Sequence, residues 1–356
     1  MNSGSLRKSG ENDLTAIPEK FLFPFLIAFF SSFFLLSAVT AVGRRFVFSR
    51  IESGRSHKSI PRLGGVALVV SFLVAVVLNG DLALSGQLYG LIAGSCLVLV
   101  FGIWDDLSPV DWKSQLLFQS GLAVLLFLSG MRAWVLTNPF GDPWFLYPEA
   151  SVWPSLLVGI FFTLLIVNAM NWSDGVDGLL GGVSLSAFVT LFFVSLRPEV
   201  GQPAIAILAA VFAGLSLGFL VFNVPPARLL AGTTGSYFLG FGVAALALFS
   251  GAKIATTLLV LSVPVLDACF VIFSRIRAGQ SPFHGGDARH LHYRLRQRGW
   301  SDRAIMILYT AVSVISGAVA LLVPAAGKAF FLLALAAGFI FLAYGLGTPT
   351  DVNKKI

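Results

Sequence analysis

The sequence is short of charge. Asp, Glu, Lys and Arg make up 12% of its 356 residues, about half of the roughly 25% usual in soluble domains. That leaves too few ionic groups to cover a water-facing surface. Cysteine is nearly absent. Cys96 and Cys269 are the only two, and both fall inside apolar runs, which argues for packing rather than a disulfide and provides no thiol set for zinc. Acids are outnumbered by bases, 17 to 24, but the excess follows from membrane topology and calls for no nucleic acid partner. No internal repeat or low-complexity linker is apparent, which weighs against a repeat-built transporter. The short alternating segments of a β-barrel are missing as well.

Apolar side chains fill the chain instead. They make up 56% of it, and the mean hydropathy is +0.86. Apolar runs fall at 21–42, 63–79, 88–104, 112–129, 153–171, 179–196, 203–222, 236–250, 253–275, 304–323 and 328–347. Runs of about 18 residues or more suit helices crossing roughly 30 Å of hydrocarbon. The expected architecture is an all-α integral membrane protein, a polytopic bundle of about 10–11 transmembrane helices. Residues 1–20 read as a polar tail, 21–347 as one transmembrane catalytic domain and 348–356 as a short cytoplasmic tail. The first run is too long for a signal-peptide core and is kept in the mature chain. With the N-terminus outside, Lys and Arg concentrate in the inside loops, notably at Arg44, Arg45, Arg50, Arg55, Lys58 and Arg62.

Under that orientation the polar clusters share the cytoplasmic side. They read "RSHKSIPRLGG" (55–65), "WDDLSPVDWK" (104–113), "NAMNWSDGVDGLLGG" (168–182), "FNVPPARLLAGTTGS" (222–236) and "SRIRAGQSPFHGGDARHLHYRLRQRG" (274–299). All four histidines, His57, His284, His290 and His292, lie in them. Asp105 and Asp106 close an apolar helix, where the dipole disfavours carboxylates unless a cation is near. Either they only stop the helix, or with Asn171, Asp174 and Asp177 they supply hard oxygens suited to Mg²⁺ shared with substrate phosphates. An EF-hand is excluded, because the twelfth position of "NWSDGVDGLLGG" is Gly182 rather than Glu. After the ninth run come seven arginines and no lysine, from Arg275 to Arg303, a composition suited to bidentate phosphate binding. His290 and His292 are two apart and share no helix face; a loop offering both to an anion fits better than a zinc pair without further ligands. Asp267, inside the ninth run, serves either function or a structural hydrogen bond.

Together "HKSIPRLGG", "GIWDDLSP", "NAMNWSDGVDGL" and "SPFHGGDARHLHYRL" resemble the polyprenyl-phosphate N-acetylhexosamine-1-phosphate transferase family over roughly residues 50 to 320. The last motif is closer to the branch using UDP-N-acetylhexosamine than to the branch using UDP-muramoyl pentapeptide. The resemblance implies transfer of HexNAc-1-phosphate from a UDP-N-acetylhexosamine to undecaprenyl (polyprenyl) phosphate, with UMP released, for cell-envelope glycans such as lipopolysaccharide O-antigen. It implies a multi-pass protein of the inner (plasma) membrane whose site faces the cytoplasm and whose cofactor is Mg²⁺ or Mn²⁺; a homodimer is compatible with it. Asp105, Asp106 and Asp174 would be catalytic, and Asn171 and Asp174 would be near the metal. Substrate would be bound by His57, Lys58, Gly64, Gly65, Asn168, Asp177, Asp287, His290, His292 and Arg294. Two positions depart from the pattern. The family's Gly-Asp-x-Gly-Ser, whose aspartate ligates the metal, reads Gly232-Thr233-Thr234-Gly235-Ser236, and Tyr293 stands for a histidine. A hydroxyl is a far poorer Mg²⁺ ligand than a carboxylate, so the alternative is a non-catalytic binder or transporter of polyprenyl phosphates.

Overall fold

The computed structural model describes residues 12–43, 60, 62–83, 85–146, 151–249, 253–282 and 289–346. His57, Lys58 and Asp287 of the expected site lie outside the described residues, as does the tail 348–356. Every apolar run forms helix. In chain order the helices are α1 (Asn12–Gly43), α2 (Gly64–Val77), α3 (Gly86–Leu107), α4 (Trp112–Leu128), α5 (Trp153–Ser173), α6 (Leu179–Ser195) and α7 (Pro203–Asn223). There follow α8 (Gly232–Leu248), α9 (Ile254–Val260), α10 (Ser262–Arg277), the short α11 (Leu291–Gln297), α12 (Asp302–Leu322) and α13 (Ala325–Gly345). An antiparallel hairpin, β1 (Val135–Leu136) with β2 (Trp144–Phe145), links α4 to α5. Because α1 begins at Asn12, helix extends into the stretch expected to be a polar tail.

At the centre are α7 and α8, whose residues are almost all buried. Small residues let neighbours close on them. A Cβ at Gly94 would fall 2.1 Å from the Phe241 ring, and one at Gly218 2.1 Å from Ser32 Oγ on α1, the small-residue contact by which membrane helices approach closely. The rings of Phe72, Phe188 and Phe238 surround Phe212 at centroid distances of 5.1, 4.7 and 5.2 Å. Cys96 and Cys269 are free and exposed on helix surfaces, so the packing role expected of them is not observed.

Among the described residues six helices are long and apolar enough to cross a membrane singly, seven if α9 and α10 count as one span, and four shorter apolar helices complete the expected all-α polytopic bundle. Those four, α2, α4, α6 and α8, have 14 to 17 residues and reach only about 21–26 Å. All four begin directly after a polar motif and run away from it, so their amide ends gather at one end of the bundle. The ninth run is not one helix: α9 and α10 meet at 84°. Pro264 lies in the first turn of α10, and without an N–H it cannot donate to the carbonyl of Val260.

Candidate functional site

The two aspartates of α3 meet the first turn of α8. Asp106 takes the place of a missing cap there: Oδ1 accepts the Thr233 amide at 2.8 Å, and Oδ2 accepts the Thr234 amide at 3.1 Å and its hydroxyl at 2.9 Å. The capping residue of α8 itself, Ala231, has no side-chain acceptor, so a neighbouring helix satisfies those amides. Asp105 is 5% exposed. Its Oδ2 accepts the Thr233 hydroxyl at 2.6 Å, and its Oδ1 accepts the Val110 amide at 2.9 Å and Gln115 Nε2 at 3.1 Å. Asn171 on α5 joins from the other side, its Oδ1 accepting Ser236 Oγ at 2.7 Å. At the exposed start of α4, the Ser114 hydroxyl holds the Asp111 carboxyl below its usual value.

Backbone contact between α2 and α8 requires glycine. The amides of Gly64 and Gly65 donate to the carbonyls of Leu230 and Ala231 at 3.1 and 3.0 Å, and a Cβ at Gly65 would lie 2.1 Å from the Gly235 nitrogen. Gly64 and Gly65 thus build the contact between α2 and α8. Gly65→Ala should force α2 off α8 and destabilise the protein by about 1–3 kcal/mol; thermal unfolding in detergent checks this.

A polar ladder runs from Asp105 into the bundle. Gln115 Oε1 accepts the Tyr237 hydroxyl at 3.2 Å, that hydroxyl accepts Gln119 Nε2 at 2.8 Å, and Gln119 Oε1 accepts Asn168 Nδ2 at 2.6 Å. Asn168 also donates to its own helix at Leu164. Expected at the substrate, Asn168 ties α4 to α5 through this amide. Gln115, Gln119 and Tyr237 were not singled out from the sequence, although two glutamines four apart in an apolar helix mark one polar face. Tyr237→Phe leaves both glutamines short of a partner and should cost about 1–3 kcal/mol of stability, measured as a shift in Tm.

Hydrogen bonds also draw the remaining loops together. Asp177 Oδ2 accepts the Ala227 amide at 2.9 Å, and Asn223 Oδ1 accepts the Gly178 amide at 2.9 Å, which holds the α5–α6 loop against the α7–α8 loop. Gly178 has φ +78°, a conformation open to glycine. Gly175 leaves room for His292 and Tyr293, whose Nε2 and hydroxyl would lie 2.7 and 2.9 Å from a Cβ there. Trp172 lies against His290 with ring centroids 5.2 Å apart. The two histidines are not offered by a free loop: His290 is the N-terminal flanking residue of α11, His292 is within it, and both are buried.

The arginines differ most from expectation. Arg294 donates to the Ala343 carbonyl of α13 and lies over the Phe270 ring. Arg298 donates to the Leu346 carbonyl, Arg275 to Pro282, Arg303 to Pro225, and Arg289 to Gln280. Arg296 makes a two-pronged pair with Asp302 at 2.7 and 2.8 Å. These guanidinium groups hold α11 and its flanks to neighbouring backbone, including carbonyls at the C-terminal end of α13, where cations are favoured. Arg294, expected on the substrate diphosphate, is such an anchor.

A divalent ion held by the protein needs carboxylate oxygens turned to a common point. Here the oxygens of Asp105, Asp106 and Asn171 already accept hydrogens from Val110, Gln115, Thr233, Thr234 and Ser236. Among the described residues no three His, Cys, Asp or Glu side chains could hold a metal together. Asp105, Asp106 and Asn171 therefore do not by themselves present a ready-made site for Mg²⁺ or Mn²⁺. Thr233 explains why: it meets Asp105 with a hydrogen bond, where an aspartate would bring a second carboxylate needing a cation between.

Polar loops converging at one end of a helical bundle, around a buried acid and gathered helix N-termini, define a polytopic membrane protein with a recessed polar site. Residues 88–251 match Glycosyl transferase family 4, and the chain belongs to that family. It is 30% identical over 302 residues to the probable undecaprenyl-phosphate N-acetylglucosaminyl 1-phosphate transferase of Bacillus subtilis (strain 168), covering 80% of this chain and 81% of the relative. It is 32% identical over 288 residues to the decaprenyl-phosphate N-acetylglucosaminephosphotransferase of Mycolicibacterium smegmatis (72% of this chain, 70% of the relative). A phospho-N-acetylmuramoyl-pentapeptide-transferase of Synechococcus sp. is 33% identical over 299 residues (77% and 80%).

Proposed function

We propose that the protein is a phosphoglycosyltransferase that moves N-acetylhexosamine 1-phosphate, preferentially N-acetylglucosamine 1-phosphate, from a UDP-sugar to a polyprenyl phosphate. A lipid phosphate oxygen bonds to the sugar-linked phosphorus, and the bond from that phosphorus to UMP breaks. The products are UMP and the first lipid-linked sugar of a cell-envelope glycan such as O-antigen. The observation that carries the reading is the convergence of the motif loops on the start of α8, with Asp105, Asp106, Asn171 and Asp177 bonded across them.

Two anions must approach, and unit charges about 4 Å apart repel by on the order of 4 kcal/mol at an effective dielectric near 20. The gathered N-termini of α2, α4, α6 and α8 offset a small part of this, because Asp106 and Asp111 already cap α8 and α4. The second pKa of a phosphate monoester is near ~6, so the lipid phosphate is mostly dianionic at neutral pH. Asp105 therefore chiefly fixes the geometry of the α8 start rather than removing a proton. The Lys and Arg bias supports a cytoplasmic orientation of this end, where nucleotide sugars are found, with the prenyl chain in the hydrocarbon of the membrane. No step is assigned to Mg²⁺ or Mn²⁺, because these side chains do not by themselves present a ready-made site for either.

The Asp105–Thr233 pair also favours a second reading, a binder of polyprenyl phosphate that does not turn over. The two readings separate in nanodiscs supplied with undecaprenyl phosphate, UDP-N-acetylglucosamine and Mg²⁺. The transferase releases UMP; lipid-phosphate binding without UMP leaves the binder.

A further inference from the structure

Asp105 and Asp267 are the buried acids among the described residues, and the reaction as proposed uses only the first. Asp267 lies on α10 beyond the bend at Leu261 and is 4% exposed. Its carboxylate is divided between two donors: Oδ1 accepts the Leu291 amide at 2.7 Å, and Oδ2 meets His290 Nδ1 at 2.9 Å. His292 Nδ1 is farther off, at 3.8 Å. The imidazole of His290 is held by Trp172 at 5.2 Å and by His292, stacked at 5.4 Å. Trp172 is two residues before Asp174, so the ring stands beside the loop that joins α5 to α6.

An ionised carboxylate only accepts hydrogen bonds, so Nδ1 of His290 carries the hydrogen and the partner of one ring nitrogen decides the role of the other. Capping α11 requires only one oxygen, and the second is committed to the imidazole. Asp267 also attracts the Arg294 guanidinium electrostatically, which in addition donates to the Ala343 carbonyl and lies over the Phe270 ring.

We propose that Asp267 is a positioning residue for the nucleotide sugar: it holds His290 by Nδ1 and pins the start of α11, so that Nε2 is the nitrogen offered to the diphosphate. The proposal rests on the transferase reading. Asp267→Asn keeps the size and can still accept the Leu291 amide, but then turns an N–H toward Nδ1 and forces the proton to Nε2. KM for UDP-N-acetylglucosamine should rise about tenfold or more, the scale of a hydrogen bond to a charged group, while kcat changes little. In a His290→Gln background the same substitution should add nothing to KM, because the two residues act as one unit. A fall in kcat and in Tm, equal in both backgrounds, would overturn the proposal and leave Asp267 as a cap.

Nitrogen NMR of ¹⁵N-histidine-labelled protein, with His290 assigned by its loss in His290→Gln, reads the tautomer without turnover. The expected result is Nδ1–H in the parent and Nε2–H in Asp267→Asn. Nε2–H in the parent would overturn the positioning role. No turnover by the parent alongside the expected tautomers would instead count against the transferase reading, while the Asp267–His290 coupling stands.

Discussion

Replacing Thr233 by aspartate should make the protein depend on a divalent cation in a way its parent does not. The threonine hydroxyl donates to Asp105 Oδ2 at 2.6 Å. A carboxylate in its place can only accept, so two anions would face each other with a repulsion of on the order of 4 kcal/mol at an effective dielectric near 20. In EDTA the variant should unfold at a lower temperature than the parent, and Mg²⁺ should restore it by occupying the new pair. Product formation by the variant should then saturate at lower Mg²⁺ than in the parent. A magnesium titration of both proteins, read by Tm and by UMP release, checks this. Superimposable curves would mean that residue 233 does not face Asp105 as described.

Asp105→Asn and Asp106→Ala should separate turnover from stability, although the residues are adjacent. An asparagine at 105 has one accepting oxygen for three donors, the Val110 amide, Gln115 and Thr233. The start of α8 is then misplaced where the reaction occurs, and a shift near 1 Å costs about a hundredfold in rate. Tm should change little by comparison. Asp106→Ala removes the carboxylate that accepts the first amides of α8, which should cost about 0.5–2 kcal/mol as a lost cap and reduce turnover mainly through unfolding. Initial-rate assays normalised to folded protein, with thermal unfolding of each variant, measure both. A hundredfold loss at Asp106 with unchanged Tm would reverse the assignment.

The helices were legible because burial in lipid leaves long apolar runs with few alternatives to helix. The gathering of the motifs was legible too, since short loops between antiparallel spans return them to one end, and the bonds from Thr233 to Asp105 and from Ala227 to Asp177 join three of them. What was not legible was the intramolecular partner of each polar group. Arg294 and Asn168 have the chemistry to bind phosphate or sugar, but their partners are Ala343 and Gln119, distant in sequence. Nothing in the local pattern around either residue names that partner. Gln115, Gln119 and Tyr237 were overlooked because a hydropathy average dilutes single polar residues within a span. The bend between α9 and α10 had a local signal in Pro264.

Following the phosphorus tests the account most directly. The protein in nanodiscs with undecaprenyl phosphate and Mg²⁺ is given UDP-N-acetylglucosamine labelled with ³²P in the phosphate next to the sugar, and the lipid is extracted. The account predicts that the label enters the lipid fraction as a diphosphate-linked sugar, with unlabelled UMP formed in equal amount. Label that stays wholly in the nucleotide, while the protein still binds polyprenyl phosphate, would contradict it.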